Sequence, residues 1–180
     1  MAISCPVCGN HRLEEFLRRD AVPVHQNLLF SCQEDARQLA TGQLTMVICE
    51  ACNFVFNQAF DASLLSYGER YDNSQNFSPA FEQHVNELVD RLVNEKGVRD
   101  CTIVEVGCGK GEFLRKLAAS EDFGNRAHGF DPAYIGPDVD VDGRVTFHRR
   151  FYTEDCARIR ADVVISRHVI EHIPQPKELL

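Results

Sequence analysis

A glycine-rich stretch constrains the fold of this chain more than any other feature. Residues 102–114 read TIVEVGCGKGEFL. The β-branched apolar run at its start is typical of a central parallel strand covered on both faces. Three glycines then allow a sharp turn and close approach of a ligand, and an apolar helix face follows. The stretch predicts a buried strand, a tight turn and a helix start whose free amides suit a polar ligand.

The spacing of the glycines narrows the choice of ligand. The third of Gly107, Gly109 and Gly111 comes one place earlier than the dinucleotide fingerprint G-x-G-x-x-G requires. Glu105 lies two places before the first glycine, and the resulting E-x-G-x-G-x-G resembles the first motif of class I S-adenosylmethionine-dependent methyltransferases. In that family the turn receives the methionine end of the cofactor. A tight turn without a ligand is the alternative.

A second acidic residue supports a cofactor site. Residues 127–130 predict a second strand, and Asp131 follows it, with Pro132 next. A carboxylate there offers two acceptor oxygens to ribose hydroxyls. Further strands are predicted at 145–147 and 162–165, which makes the fold class α/β with a Rossmann-like sheet. Phe151 and Tyr152 follow the third strand, where an aromatic ring can stack on adenine; a core Phe and a surface Tyr are the alternative.

A helix is predicted over residues 79–96, before the first strand of this sheet. Ser78 is a natural N-cap, and Pro79 suits the first helical position. Apolar residues recur at helical spacing, and Gly97 ends the pattern. We expect the helix to pack on the sheet.

Two C-x-x-C motifs near the N-terminus predict a metal site. Their four cysteines are Cys5, Cys8, Cys49 and Cys52. Four thiolates satisfy a tetrahedral zinc ion completely, so the role is structural rather than catalytic. The residues after the motifs, Gly9 and Asn53, both tolerate the positive φ that a tight metal-binding turn tends to need. Four free buried cysteines are the alternative.

The chain between the two motifs is predicted to fold as an insert. Short strands are expected at 22–24 and 28–30, and a helical turn or two at 33–39. Residues 44–48 and 54–56 flank the second motif as a hairpin would.

A polar connector at 61–78 separates the predicted zinc-binding domain, 1–60, from the predicted methyltransferase domain, 79–180. It contains Tyr67, Tyr71 and Gln75 among several other polar residues. It is either a solvated linker or a cover over the cofactor that meets a hydroxyl-rich substrate.

Titratable residues cluster in residues 166–174, after the fourth predicted strand. Open α/β sheets bind ligands beyond the carboxyl ends of their strands. If the segment is helical, His168, Glu171 and His172 border one site. A histidine beside a carboxylate makes a plausible general base; helix capping and packing are the alternative.

Composition disfavours several classes of partner. A formal net charge of −8 disfavours nucleic acid, and no apolar run reaches the roughly 18–20 residues that span a bilayer. Eight cysteines without a recognisable secretory signal favour a reducing, cytoplasmic location and metal ligation over disulfides.

The combination of motifs resembles the bacterial sugar C-methyltransferase family over nearly the whole chain. The matching residues are the four motif cysteines, residues 71–75 (YDNSQ), 105–111 (EVGCGKG), 129–132 (GFDP) and 168–173 (HVIEHI). Many methyltransferases share the cofactor motifs, so the resemblance to this particular family depends on their combination with the zinc motifs in one chain. Asn53 stands where the zinc motif more often has glycine.

The resemblance implies methylation of a carbon next to a ketone on a nucleotide-linked deoxysugar. It implies that His172 is the base, that Glu171 orients it and that Tyr67 or Tyr71 lies nearby. It places Gln75, Arg167 and His168 in the cofactor site with the glycine turn, Asp131 and the aromatic pair.

Family members are longer, so we expect this chain to hold only the first four of seven sheet strands. Its fourth strand would then have an exposed edge that favours self-association. Two other functions stay open: an RNA methyltransferase whose zinc module grips RNA, and a truncated, non-catalytic fragment that binds cofactor weakly or associates with a partner.

Overall fold

The structure is a computed structural model that describes residues 3–25, 28–65, 77–173 and 176–178. The chain divides into two compact units, Met1–Asp72 with Ile170–Leu180, and Asn73–Val169. The domain boundaries at 60 and 78 stay predictions.

The first unit holds an antiparallel sheet in the order β1-β2-β3. Its elements are β1 (Leu13–Pro23), α1 (Gln33–Arg37), β2 (Thr41–Cys49), β3 (Val55–Asn57) and a 3-10 turn at Ala62–Leu64. The predicted hairpin around the second cysteine motif is confirmed, with Val47 opposite Phe56. The predicted helical turn is confirmed as α1.

The short strand expected at 22–24 is confirmed only in part, since Val22 and Pro23 form the end of a longer strand, and the one expected at 28–30 is wrong. A single strand, β1, runs for 11 residues from Leu13, and Leu28 forms only an isolated bridge. The sequence hides β1 because its residues from 14 to 21 are exposed on both faces. Irregular register between Glu15 and Leu17, and again between Arg19 and Val22, also breaks the two-residue period of a strand.

The second unit holds a five-stranded sheet in the order β6-β7-β5-β4-β8. Its elements are α2 (Pro79–Asp90), a π-helical turn (Arg91–Glu95), β4 (Thr102–Val106), α3 (Glu112–Ala118), β5 (Arg126–Phe130), β6 (Val139–Asp140), β7 (Val145–His148) and β8 (Val163–Ser166). All pairs are parallel except β6 with β7. The four predicted strands are confirmed as β4, β5, β7 and β8; β6 was not predicted.

Ser78 caps the predicted long helix, because its hydroxyl accepts a hydrogen bond from the Phe81 amide at 3.3 Å. The α-helix ends at Asp90, and a π-helical turn completes the predicted segment before Gly97, which has φ +70°. Apolar side chains of α2, α3 and the strands form one buried core. Its fully buried members include Ile103, Leu114, Leu117, Ala118 and Val145.

Among the residues that the structure describes, no helix is long and apolar enough to cross a membrane.

Candidate cofactor site and four-cysteine cluster

The glycine turn joins β4 to α3 and uses left-handed backbone at each glycine. Gly107, Gly109 and Gly111 have φ of +71°, +55° and +77°. A Cβ built on Gly111 would overlap the ring of Phe147, which is 3% exposed. Glycine is therefore required at position 111 by the backbone angle and by the lack of space.

The turn uses most of its amides within the protein. The Gly107 and Cys108 amides donate to the Phe130 carbonyl at 2.8 and 3.2 Å, and the Gly111 amide donates to the Cys108 carbonyl at 2.8 Å. These three amides are therefore satisfied by carbonyl groups of the protein itself. The expectation of free amides at the start of α3 stays a prediction.

Asp131 lies against this turn at the end of β5. Its Oδ2 accepts a hydrogen bond from the Gly109 amide at 2.9 Å, and its Oδ1 accepts one from the Ala133 amide at 2.8 Å. Each carboxylate oxygen can accept a further hydrogen bond, so the side chain can still receive a ligand hydroxyl. Pro132, next to it, is exposed. β4 and β5 are parallel neighbours, so turn and carboxylate share the edge where α/β sheets bind ligands.

Glu105 is almost completely buried in β4, at 1% exposure. Its Oε1 accepts a hydrogen bond from Arg167 Nε at 3.2 Å, while Oε2 has no hydrogen-bond partner within the described ranges. Burial raises the pKa of the Glu105 carboxyl to about 7, against the opposing charge of Arg167. The Arg167 guanidinium lies 3.7 Å from the centre of the Phe113 ring. A buried carboxyl with a spare oxygen beside the glycine turn can take a hydrogen bond from a ligand.

The two aromatic residues after β7 differ in their surroundings. Phe151 is 68% exposed, whereas Tyr152 is half-buried and its ring stands nearly perpendicular to that of Phe130, with 5.1 Å between the ring centres. Their stacking on adenine stays a prediction.

A histidine pair on β5 and β7 was not predicted. His148 stacks on Phe130 at 4.3 Å, and its Nε2 lies 3.3 Å from Nδ1 of His128. Burial lowers the pKa of both imidazoles, so the pair favours its uncharged form. These two residues are neighbours because β5 pairs with β7, and the sequence pattern does not reveal which strands pair.

The segment after β8 is not the continuous helix that would align its titratable residues. His168 has φ +56° and is exposed, and a helical turn forms only at Ile170–His172. Glu171 and His172 are exposed within that turn. The roles given to all three residues stay predictions. Tyr67, Tyr71 and Gln75 lie outside the described residues.

The four motif cysteines form a compact cluster in the first unit. All four sulfur atoms lie within 4.8 Å of one another. The Cys5 and Cys52 sulfurs are 3.6 Å apart, and those of Cys8 and Cys49 are 3.5 Å apart. Zinc–sulfur bonds of about 2.3 Å in a tetrahedron would place the sulfurs about 3.8 Å apart. The cluster is therefore compatible with a structural zinc ion.

The backbone supports this geometry in the same way at both motifs. The Gly9 amide donates to the Cys5 carbonyl at 2.9 Å, and the Asn53 amide donates to the Cys49 carbonyl at 2.8 Å. Gly9 and Asn53 have φ of +75° and +60°, which confirms the predicted left-handed backbone.

The second unit is a Rossmann-like α/β sheet with a glycine turn and an acidic residue at neighbouring strand ends, an arrangement typical of nucleotide-cofactor-binding enzymes. The sequence matches the family model of a methyltransferase domain over residues 75–180, more than half of its length. The chain therefore belongs to this methyltransferase family, and the predicted methyltransferase class is confirmed. No curated protein matches the chain.

Arg115 contacts both the glycine turn and the segment after Asp131, although no sequence motif marks it. A basic residue on a short helix is usually interpreted as a solvent-exposed residue without a specific role. Its side-chain partners lie 19 and 25 residues further along the chain, so no local pattern reports the contacts.

Proposed function

We propose that this methyltransferase uses S-adenosylmethionine, held at the carboxyl ends of β4 and β5. The observation that carries the proposal is the Asp131 carboxylate, which lies 2.9 Å from the Gly109 amide. A carboxylate fixed beside a glycine turn suits a ligand with ribose hydroxyls. Family membership supplies the methyl-transfer reaction.

The described residues suit different parts of that cofactor. Asp131 would accept hydrogen bonds from the ribose, and the glycine turn would leave room for the methionine end. Glu105 would offer its spare Oε2 as an acceptor. The bound cofactor supplies a methyl group on a sulfonium. The protein's own contribution is to bind, orient and exclude water.

We further propose that the acceptor is a carbon next to a ketone on a nucleotide-linked deoxysugar. Support comes from the four-cysteine cluster, found together with a methyltransferase domain in the family that the sequence resembles. In this scheme His172 would take the α-proton onto its imidazole. The bound cofactor would supply the methyl group to the carbon, and breaking its sulfur–methyl bond would leave a neutral thioether. Replacing His172→Asn should abolish turnover of a keto-sugar; full turnover would remove His172 as the base.

The zinc ion in this proposal is structural. Four thiolates leave no open coordination position for a substrate. The first unit is small, and a metal would add the stability that a small apolar core lacks.

Calorimetry with S-adenosylhomocysteine tests the cofactor proposal without an acceptor. We expect micromolar binding by the wild-type chain and at least tenfold weaker binding by Asp131→Ala. Asp122→Ala is the matched control, because Asp122 is an exposed carboxylate in the turn Glu121–Phe123. A folded wild-type chain that does not bind, or an Asp131→Ala variant that binds equally well, would contradict the proposal.

A further inference from the structure

Arg115, on α3, is tied to the glycine turn that precedes its helix. Its Nη1 donates a hydrogen bond to the carbonyl of Lys110, inside the turn. The side chain is 31% exposed, so much of it is covered by protein. Its contact with the turn leaves two further donor groups of the guanidinium for other partners.

Those two donors reach the segment that follows Asp131. Arg115 Nε lies 2.7 Å from Asp140 Oδ2, and Nη2 donates to the Tyr134 hydroxyl at 3.1 Å. The same contact lowers the pKa of the Asp140 carboxyl, which keeps it charged. One planar guanidinium therefore bridges the glycine turn and residues 131–140.

Tyr134 connects this bridge to Asp131 itself. Its amide donates to the Asp131 carbonyl at 3.2 Å, and its hydroxyl donates to the Pro137 carbonyl at 2.9 Å. Its ring, 2% exposed, stacks on Phe147 at 4.2 Å. Phe147 is the side chain that fills the space beside Gly111, and the Arg115 guanidinium lies 5.0 Å from its ring centre.

We propose that Arg115 is a positioning residue of the cofactor site. It holds the segment after Asp131 against the glycine turn. The Asp131 carboxylate thereby keeps its hydrogen bond from the Gly109 amide and the orientation needed to bind a ribose. The inference rests on the proposed cofactor but concerns an arrangement already present in the free protein. Lysine carries the same charge but has only one nitrogen, which cannot replace the three directed contacts.

Amide hydrogen exchange in the free protein tests the positioning directly. The Gly109 and Ala133 amides both donate to Asp131, so in Arg115→Lys we expect both to exchange at least tenfold faster. The Val104 amide, in the centre of β4, should keep its wild-type rate. Equal acceleration at all three amides, or none at Gly109 and Ala133, would overturn the proposal.

Arg99→Lys is the matched control for that experiment. Arg99 also donates to a backbone carbonyl, that of Asp122, and lies 5.2 Å from the ring centre of Phe123. Within the described part of the chain, its side-chain contacts are with Asn94, Asp122 and Phe123 and not with the turn or Asp131, so Gly109 and Ala133 should exchange at wild-type rates. Faster exchange there would mean that any arginine loss loosens the site.

A double-mutant cycle then relates positioning to binding. Arg115→Lys should weaken S-adenosylhomocysteine binding at least fivefold, but should add little once Asp131→Ala has removed the carboxylate. Additive effects would show that Arg115 does not act through Asp131. If the wild-type chain binds no S-adenosylhomocysteine, the cofactor proposal fails, and the exchange rates alone decide whether Arg115 positions Asp131.

Discussion

Arg167 donates a hydrogen bond from Nε to Glu105 Oε1 at 3.2 Å, yet the Glu105 carboxyl keeps a raised pKa of about 7. Burial of Glu105 outweighs the arginine's charge, since among the described residues only one carboxylate oxygen finds a hydrogen-bond partner and the arginine is 27% exposed. Protonation of Glu105 therefore changes near neutral pH.

Glu105→Gln should change how stability depends on pH. Between about pH 4.5 and about pH 7, the Glu105 carboxyl keeps its proton in the native protein but loses it in the unfolded chain. The stabilisation from this group is thus complete below pH 4.5 and is lost as the pH rises through 7. Glutamine does not titrate. Between pH 4.5 and 8, the free energy of unfolding of the variant should therefore rise relative to that of wild type by on the order of 3 kcal/mol.

Urea unfolding at these two pH values measures that gain as a difference between the two proteins. Contributions from the histidine pair are common to both and cancel. Glu121→Gln, at an exposed glutamate, should show no pH-dependent gain. A Glu105→Gln curve parallel to that of wild type would mean that the carboxyl is ionised throughout.

Gly111→Ala should cost more stability than a left-handed backbone alone explains. Gly111 and Gly143 have similar φ, +77° and +81°, but a Cβ would overlap Phe147 at the first and meets nothing within 4 Å at the second. Gly143→Ala should lose about 1–2 kcal/mol from backbone strain. Gly111→Ala should lose about 1–3 kcal/mol more, because the packed ring must move.

Denaturant unfolding of both variants gives the comparison. Equal losses in the free energy of unfolding would mean that the Phe147 ring moves aside for the new methyl group without destabilising the protein. In that case the aromatic ring would not shape the turn, and the link from Arg115 through Phe147 to Gly111 would lose its support.

The sequence alone predicted most of the second unit because its signals are local. The run at 103–106 and the glycine spacing indicated β4 and its turn, and the cap at Ser78 fixed the start of α2. The cysteine cluster was also predictable, since two short motifs carry all four ligands. Left-handed backbone at Gly9 and Asn53 followed from residue type.

What the sequence did not reveal depends on contacts between distant residues. β1 is exposed on both faces and irregular in register, so it lacks the alternation that marks a strand. The His128–His148 pair and the Arg115 contacts exist only because particular strands and loops meet in space. His168 adopts a left-handed backbone that no residue preference required.

Asn125→Leu should destabilise the second unit strongly. Asn125 is completely buried; its amide nitrogen donates to the carbonyls of Val98 and Leu117 at 3.0 Å each, and its oxygen accepts from the Cys101 amide at 3.1 Å. Leucine would leave three backbone groups without partners, at about 1–3 kcal/mol for each one that stays buried. We expect the unfolding midpoint to fall well below that of Asn94→Leu, whose position is exposed. Similar midpoints would show that water replaces the lost bonds.

Zinc should be present at one ion per chain and should depend on the clustered cysteines. Cys52→Ser replaces a thiolate ligand by a hydroxyl, so zinc measured by atomic emission should fall well below one equivalent. Cys32→Ser is the matched control, because Cys32 is exposed and only caps α1, a role that serine also fills.

Removing the metal should loosen the first unit and spare the second. The cysteine cluster joins the carboxyl end of β2 to the chain before β1, whereas the sheet of the second unit has its own buried core. Excess chelator should therefore speed amide exchange in β2, at Val47, and leave Ile103 in β4 unchanged. Full protection of Val47 in metal-free protein would show that the sheet is stable without zinc.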